Sequence, residues 1–251
     1  MRGPGSVIVF DDATKMTEFV IREWERASSE AIRQRGFFAV ALSGGRTPVP
    51  LYLGLAAQLD IGLWDKTHVF LADERFVPAT DADSNYRMIR EGLLDAVDIP
   101  ASNVHPVPTG LPDAASAAKK YEEMLIFFFG LSDGEFPVFD LILLGLGTDG
   151  HTASLFPGSR ALQEEERLVD SAVLGNARHD RITLTFPVIN SAKNVLFLVT
   201  GKDKAEVLRE VAEERNAALP ASAVAPGRGR LLFLADPDAA SRLSAGRRQV
   251  P

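Results

Sequence analysis

The sequence predicts an α/β protein: a single-domain, three-layer α/β/α sandwich built around a mostly parallel sheet. Short apolar runs alternate with amphipathic helical patterns along the chain, the order typical of parallel strands joined by helical crossovers. Most of the apolar runs are unbroken rather than alternating, as expected for strands that are covered on both faces. The 251 residues, 46% of them hydrophobic, suffice for one large core, and no segment has the composition of a linker.

The first half of the chain holds three units, each an apolar run followed by a helical pattern. The runs SVIVF, FFAVAL and HVFLAD predict strands at Ser6 to Phe10, Phe37 to Leu42 and His68 to Asp73. The helices that follow them are predicted at Thr14 to Gln34, Pro48 to Gln58 and Ser84 to Ala96. Pro48 suits the first turn of a helix, and Ser84 or Asp83 can cap the third one.

The second half begins with a helical pattern and continues with four apolar runs. It predicts a helix at Ala114 to Phe128 and another at Lys202 to Glu214. The predicted strands are Asp140 to Leu146, Arg181 to Phe186, Asn194 to Thr200 and Arg230 to Asp236. Glu164 to Asp180 has no clear period and is predicted as a loop with room for an edge strand, and residues 242–251 as a flexible tail.

Composition excludes several classes of function. Without cysteine there is no disulfide, thiolate catalysis or cysteine-based metal site, and the four histidines lack the spacing of metal ligands. The sequence has neither a signal-peptide core nor a membrane span, so we expect a cytoplasmic protein without membrane partners. A net charge of −7 argues against nucleic-acid binding, whereas a small anion can still bind where cations and backbone N–H groups cluster.

Three polar clusters follow predicted strands, where ligands of parallel sheets bind. The first is Ser43, Gly44, Gly45, Arg46 and Thr47, which lead into the helix at Pro48. Glycines let the backbone approach a ligand, and the N–H groups of a helix start attract anions, so this loop predicts a phosphate site. A simple tight turn explains the same residues about equally well.

The second cluster is Asp73, Glu74 and Arg75, at the end of the third predicted strand. A carboxylate and a guanidinium at this edge suit a substrate rich in oxygen. A surface ion pair is the alternative, and taken alone it is the safer interpretation of three such residues.

The third cluster contains Gly145, Gly147 and Gly150 in the order G-x-G-x-x-G, followed by His151. A dinucleotide-binding turn leads into a long helix, but Pro157 lies seven residues after Gly150 and would interrupt it. The turn is therefore predicted to present His151, whose imidazole can exchange protons near neutral pH. Alone, a loop histidine is more often structural.

Covalent serine catalysis is not expected. The chain contains no G-x-S-x-G elbow, and Ser154, three residues after His151, has no evident third member of a triad.

Taken together and in order from about Val7 to Asp236, several blocks resemble the bacterial 6-phosphogluconolactonase family. They are LSGGRTP, LADERFVP, DSNYRMIREGLL, FDLILLGLGTDGHTASLFPGS, RITLTFPVINSAKNVLFLVTGKDKAEVL and LPAS. The family is grouped with the glucosamine-6-phosphate deaminases in a Rossmann-like superfamily. The resemblance implies hydrolysis of 6-phospho-D-glucono-1,5-lactone to 6-phosphogluconate, in the oxidative pentose phosphate pathway, without a metal or an organic cofactor.

The resemblance also implies roles for individual residues. His151 would be the general acid/base, Asp73 would orient water or sugar hydroxyls, and Arg75 would bind the anion or steady the oxyanion. Residues 43–47 would hold the 6-phosphate, with Lys204 as a second cation. We expect a monomer or a weak homodimer.

One segment departs from the family. Where many members have a Lys-Pro-Pro type segment before RITLT, this chain has Asn176 in the place of the lysine. Arg178, two residues away, could supply the charge, and Arg181 matches the family directly.

Two rival functions use the same fold or the same loop. The deaminases resemble DGHIAFNEP after the glycine turn, with a glutamate at the position of Phe156. A non-catalytic sugar-phosphate sensor would keep the phosphate loop without needing His151 beside Asp73 and Arg75.

Overall fold

A computed structural model of the chain describes residues 5–58, 61–172, 178–244 and 248–249. The strands within these ranges are β1 Ser6–Val9, β2 Phe38–Leu42, β3 Thr67–Leu71, β4 Asp73–Arg75, β5 Val104–His105, β6 Leu141–Gly145, β7 Val169–Ala172, β8 Arg181–Leu184, β9 Asn194–Val199, β10 Arg230–Ala235 and β11 Arg248–Gln249. The α-helices are α1 Ala13–Arg35, α2 Val49–Gln58, α3 Asn85–Gly92, α4 Ala114–Phe129, α5 Phe186–Ser191 and α6 Ala205–Arg209.

Eight of the described strands form one parallel sheet in the order β11-β1-β10-β9-β6-β2-β3-β5. From β2 the chain continues to β3 and β5 on one side, and from β6 to β9 and β10 on the other. The direction of winding therefore reverses between the neighbouring strands β2 and β6. Such a reversal leaves a crevice beyond the carboxyl ends of the two strands, which is where ligands of this architecture bind.

The middle of this sheet is covered on both faces. All residues of β2 and β9 are buried, although alternate residues of a strand point to opposite faces. The buried side chains form one continuous core, from Val7 in β1 to Leu243 near the carboxyl end, with Trp24 of α1 packed on Phe38 at 5.2 Å between ring centroids. The predicted fold class, a single-domain α/β/α sandwich with a mostly parallel sheet, is confirmed.

Helix α1 shows how the local sequence defines these elements. The side chain of Asp12 accepts a hydrogen bond from Lys15 N at 2.8 Å and caps the first turn. Met16, Val20 and Trp24, spaced by four residues, are buried along one face of the helix. The predicted helix at Lys202 to Glu214 is less regular: a 3-10 turn precedes α6 and a π turn, Glu210–Glu214, follows it.

A second, three-stranded antiparallel sheet has the order β4-β8-β7. The run Arg181 to Phe186, predicted as a strand of the parallel sheet, instead supplies β8 of this small sheet, and its last residue begins α5. Asp73, predicted as the end of the third strand, begins β4, because Leu184 N bonds to Ala72 O at 2.9 Å and draws the chain away from the large sheet. The segment Glu164 to Asp180, predicted as a loop with room for an edge strand, contains the edge strand β7.

The carboxyl end differs in part from the flexible tail predicted for residues 242–251. Leu243 is buried, Ser244 N bonds to Glu213 Oε1 at 2.8 Å, and β11 pairs in parallel with β1. Residues 245–247 and 250–251 of that predicted tail lie outside the described residues. In the part of the chain that the structure describes, no helix is both long and apolar enough to cross a membrane.

Candidate active site

A cavity of about 760 Å³ opens at the carboxyl edge of the parallel sheet, where the chain changes its direction of winding. It is lined by residues that follow β1, β2, β6, β9 and β10, together with two from β4. The site residues predicted from sequence that line it are Ser43, Gly44, Gly45, Arg46, Thr47, Asp73, Arg75, His151 and Lys204. One cavity thus brings all three polar clusters of the sequence together.

The glycine turn after β6 fixes the position of His151. Gly147 N donates to His151 O at 2.8 Å, and Gly150 N donates to Gly147 O at 3.1 Å, which closes the turn. A Cβ atom on Gly147 would lie 2.1 Å from His151 Nδ1, so no larger residue fits there without displacing the imidazole. In this chain the G-x-G-x-x-G motif forms the turn that positions His151.

Asp149 holds one nitrogen of that imidazole. His151 Nδ1 lies 2.5 Å from Asp149 Oδ1, which leaves Nε2 as the ring nitrogen for a ligand. Partial burial acts to raise the pKa of Asp149, but the hydrogen bonds from the side chain and backbone of His151 outweigh it, and the pKa is lowered. Asp149 is therefore a carboxylate at neutral pH, suited to orient the imidazole and to stabilise its protonated form.

Asp73 is the buried carboxylate of the cavity, with 8% of its surface exposed. Burial raises its pKa, and a hydrogen bond from Ser154 Oγ to Asp73 Oδ2 at 2.7 Å opposes the rise, as do the charges of Arg75, His151 and Arg181. A ligand in the cavity therefore meets a carboxylate whose orientation is fixed from within the protein.

Glu74, the neighbour of Asp73, has a structural role. Its carboxylate accepts hydrogen bonds from Asn85 N at 2.7 Å and from Tyr86 N at 2.8 Å, and so binds the first turn of α3. Ser84, one of the two residues predicted to cap this helix, accepts from Arg87 N at 3.1 Å. The alternation of β4 directs Asp73 and Arg75 to the cavity and Glu74 away from it.

Two guanidinium groups lie beside Asp73. Arg75 lines the cavity and donates to Asp83 O at 2.7 Å. Arg181 pairs in register with Arg75 across the small sheet, but it is not among the described residues that line the cavity. The pKa of Arg181 is lowered, first by burial and then by the charge of Arg75. An anionic ligand would relieve the repulsion between these two cations.

The loop after β2 is shaped by close packing. A Cβ atom on Gly44 would lie 1.8 Å from Asn85 Oδ1, so glycine is needed for the loop to lie against that side chain. Tyr52 of α2 donates its hydroxyl to Ser43 O at 2.6 Å, and Thr47 Oγ1 lies 3.3 Å from Thr200 Oγ1 after β9. Residues 43–47 line the cavity together with Pro48 and Pro50 at the start of α2, and neither proline has a backbone N–H group.

The predicted cations are not all brought to this loop. Arg46 and Lys204 line the cavity, with Lys204 Nζ 3.6 Å from Asp203 Oδ2. Arg178 does not, among the residues that the structure describes: its side chain is 81% exposed and pairs with Asp83 at 3.1 Å. Asn176, where the family lysine was expected, lies outside the described residues.

Sequence reasoning missed two residues of the site. Asp149 could have been found, because a carboxylate two residues before a histidine in a tight turn can reach its ring. Ser154 had been considered only as a nucleophile, and nothing in the sequence indicates its contact with Asp73, 81 positions away. No group of three or more His, Cys, Asp or Glu side chains arranged to hold a metal ion occurs in the described ranges.

A histidine paired with a carboxylate, a second, buried carboxylate, cationic side chains and a glycine-containing loop share one cavity. These features are typical of an α/β enzyme that acts on a small anionic substrate. Residues 11–233 match the model of the glucosamine-6-phosphate isomerases/6-phosphogluconolactonase family. The chain belongs to this family, which confirms the family predicted from the sequence.

Individual relatives agree with the family match. The chain is 48% identical to the 6-phosphogluconolactonase of Nostoc sp. over 217 residues, which covers 85% of this chain and 88% of the relative. It is 38% identical to the 6-phosphogluconolactonase of Rattus norvegicus over 251 residues, with 96% and 95% covered. The solved structure of 6-phosphogluconolactonase from Trypanosoma cruzi superposes with a TM-score of 0.88 at 33% identity, covering 98% of this chain and 99% of the other.

Proposed function

We propose that this chain hydrolyses 6-phospho-D-glucono-1,5-lactone to 6-phospho-D-gluconate, the second step of the oxidative pentose phosphate pathway. The observation that carries the proposal is the position of His151: its Nδ1 is held by Asp149, and it shares one cavity with Asp73, Arg75 and the loop of residues 43–47. The chain is a lactone hydrolase, and relatives that match most of its length are named 6-phosphogluconolactonases.

His151 is the general base of the first step. Nε2 accepts a proton from a water molecule while the water oxygen forms a bond to the lactone carbonyl carbon. The electron pair of the carbonyl moves to its oxygen and gives a tetrahedral oxyanion. Asp149 stabilises the imidazolium that results, since its carboxylate accepts the hydrogen bond that Nδ1–H donates.

The second step breaks the bond between the carbonyl carbon and the ring oxygen. The oxyanion electron pair re-forms the carbonyl, and His151 returns its proton to the departing ring oxygen, so that no proton is gained or lost by the enzyme. Arg75 stabilises the oxyanion between the two steps, and Asp73 orients the attacking water or a sugar hydroxyl.

The phosphate is held at the far end of the cavity. Backbone N–H groups of residues 43–47 supply neutral donors, and Arg46 and Lys204 supply positive charge. Arg181 adds a cation beside Arg75, whereas Arg178 could reach the substrate only by leaving Asp83. No step in this mechanism uses a metal ion or an organic cofactor. The cytoplasmic location and the monomeric or weakly dimeric state remain predictions.

The position of Phe156 argues against the deaminase alternative. Its ring packs on the imidazole of His151 with 4.4 Å between ring centroids, at the sequence position where the deaminases have a glutamate. A phenyl ring can neither accept nor donate a proton, so the additional proton transfers of deamination have no carrier there.

The experiment compares two substrates with the purified protein. We expect turnover of the phosphogluconolactone well above spontaneous hydrolysis, measured by coupling 6-phosphogluconate formation to its dehydrogenase, and no ammonia from glucosamine 6-phosphate. Ammonia release at a rate comparable to lactone hydrolysis would replace the proposal with the deaminase, and binding without turnover of either compound would favour the sensor.

A further inference from the structure

Ser154 lies on the same turn as His151 but bonds to the other carboxylate of the cavity. Its hydroxyl donates to Asp73 Oδ2 at 2.7 Å. Ser154 is 1% exposed and Asp73 is 8% exposed, so water competes little for this bond. The contact joins β4 to the histidine turn inside the protein, where a hydrogen bond to a charged group is strong.

The backbone around Ser154 is built to hold the hydroxyl in this place. Ser154 N donates to Thr183 Oγ1 at 3.2 Å, and Thr183 pairs in register with Asp73 across the small sheet. Ala153, just before it, has a φ of 46°, a left-handed conformation that is unfavourable for alanine. Strain of this kind persists only where the surrounding structure imposes it, and it is concentrated at functional sites.

We propose that Ser154 is a positioning residue for lactone hydrolysis, whose hydroxyl fixes the Asp73 carboxyl group in the orientation that the substrate requires. The inference rests on the proposed function, in which Asp73 orients the attacking water or a sugar hydroxyl. Ser154 acts through Asp73 and not as a nucleophile, because it is 1% exposed and is not among the described residues that line the cavity.

The charges around Asp73 set the direction of the expected change. Burial raises the pKa of Asp73, and Ser154 is the strongest of the groups that oppose this rise. Other titratable groups on the neighbouring elements interact with this carboxylate. They are Arg75 and Glu74 on β4, Arg181 on β8, His151 on the turn and Tyr52 on α2. Without the hydroxyl, less opposes the effect of burial, so the pKa of Asp73 rises further and its carboxyl group is neutral over a wider range of pH.

The test is the pH profile of kcat/KM for Ser154→Ala. We expect the part of its acidic limb that Asp73 contributes, beside that of His151, to move to higher pH by about one unit, the size that the loss of one hydrogen bond to a charged group implies. We also expect kcat to fall more than KM rises. Ser28→Ala is the matched control, because Ser28 is fully buried in α1, bonds to Glu25 O at 3.1 Å and does not line the cavity; its profile should coincide with that of the wild type.

A double-mutant cycle separates positioning from a general structural effect. In an Asp73→Asn background, Ser154→Ala should change kcat/KM by less than about twofold, since the group through which it acts is gone. A full additional loss in that background would overturn the proposal. If Ser154→Ala fails to fold, Ser154→Cys keeps a weaker donor and should shift the limb in the same direction by less.

A titration without substrate keeps the inference distinct from the proposed function. The carboxyl ¹³C signal of Asp73, assigned by its loss in Asp73→Asn, should titrate at higher pH in Ser154→Ala than in the wild type. An unchanged titration in the folded variant overturns the proposal even if the wild type hydrolyses the lactone. If the Asp73 titration moves to higher pH in Ser154→Ala but the wild type does not hydrolyse the lactone, the contact would be supported and the proposed reaction rejected.

Discussion

Gly44→Ala tests whether the predicted phosphate loop is packed as the structure shows. The new methyl carbon would lie 1.8 Å from Oδ1 and 2.2 Å from Cγ of Asn85. Overpacking of this kind costs about 1–3 kcal/mol. Displacing Asn85 also breaks its 2.9 Å bond from Nδ2 to Asp73 O, which contributes about 1 kcal/mol more. We expect the free energy of unfolding to fall by about 2–4 kcal/mol.

Guanidinium denaturation measures this loss, and calorimetry with 6-phosphogluconate measures the accompanying loss of binding. Gly110→Ala is the matched control, because a Cβ there meets nothing within 4 Å and its backbone is not left-handed. The control should be unchanged or slightly more stable, by up to about 1 kcal/mol. If Gly44→Ala were as stable as Gly110→Ala and bound the product normally, the packing of the loop on Asn85 would be refuted.

The remaining predictions concern the charges of the cavity. Asp149→Asn keeps the shape but loses the charge beside His151, and we expect kcat/KM to fall about 10-fold, the effect of about 1.5 kcal/mol; a change below twofold would remove Asp149 from the mechanism. Because the pKa of Asp149 is lowered by folding, its stabilising effect is present at neutral pH and lost as the pH falls through that lowered value. The wild type should therefore be more stable than Asp149→Asn near pH 7 and lose this advantage in acid, which thermal melts at both pH values would show. Replacing Arg46 or Lys204 singly by Ala should weaken 6-phosphogluconate binding more than gluconate binding, by about 10-fold or more; equal losses for both ligands at both positions would place the phosphate elsewhere.

The sequence was sufficient for six of the eight described strands of the large sheet, because these six carry a strong signal; β5 was not predicted, and β11 lies in the segment predicted as a flexible tail. A strand covered on both faces is an unbroken apolar run, and β2, β6 and β9 are buried in the way such runs predict. The run RITLTF alternates Ile182, Leu184 and Phe186 with polar residues, and it pairs antiparallel in the small sheet. This alternation is typical of an antiparallel strand, but it does not identify the partner strands β4 and β7.

For the site, the order of strands and loops along the chain predicted which loops meet, but it did not predict contacts between residues far apart in the sequence. His151, Asp73 and the loop of residues 43–47 could be predicted to meet because each follows a strand whose carboxyl end lies at one edge of the sheet. The bond from Ser154 to Asp73 depends on how β4 leaves the large sheet after Leu71, and that departure has no signature in the sequence. Arg178 was expected near the substrate by counting residues, whereas the structure pairs it with Asp83.

The most direct test of the account is the rate of phosphogluconolactone hydrolysis by His151→Ala. The side chain is 32% exposed, so we expect the variant to fold, with its stability lowered only by the loss of the contact with Asp149. Loss of the general acid/base should lower kcat by about 100- to 10,000-fold. His68→Ala, a histidine removed from β3 outside the cavity lining, should retain its activity when folded. A folded His151→Ala that keeps more than half of the wild-type rate above spontaneous hydrolysis would contradict the assignment of His151 as the acid/base.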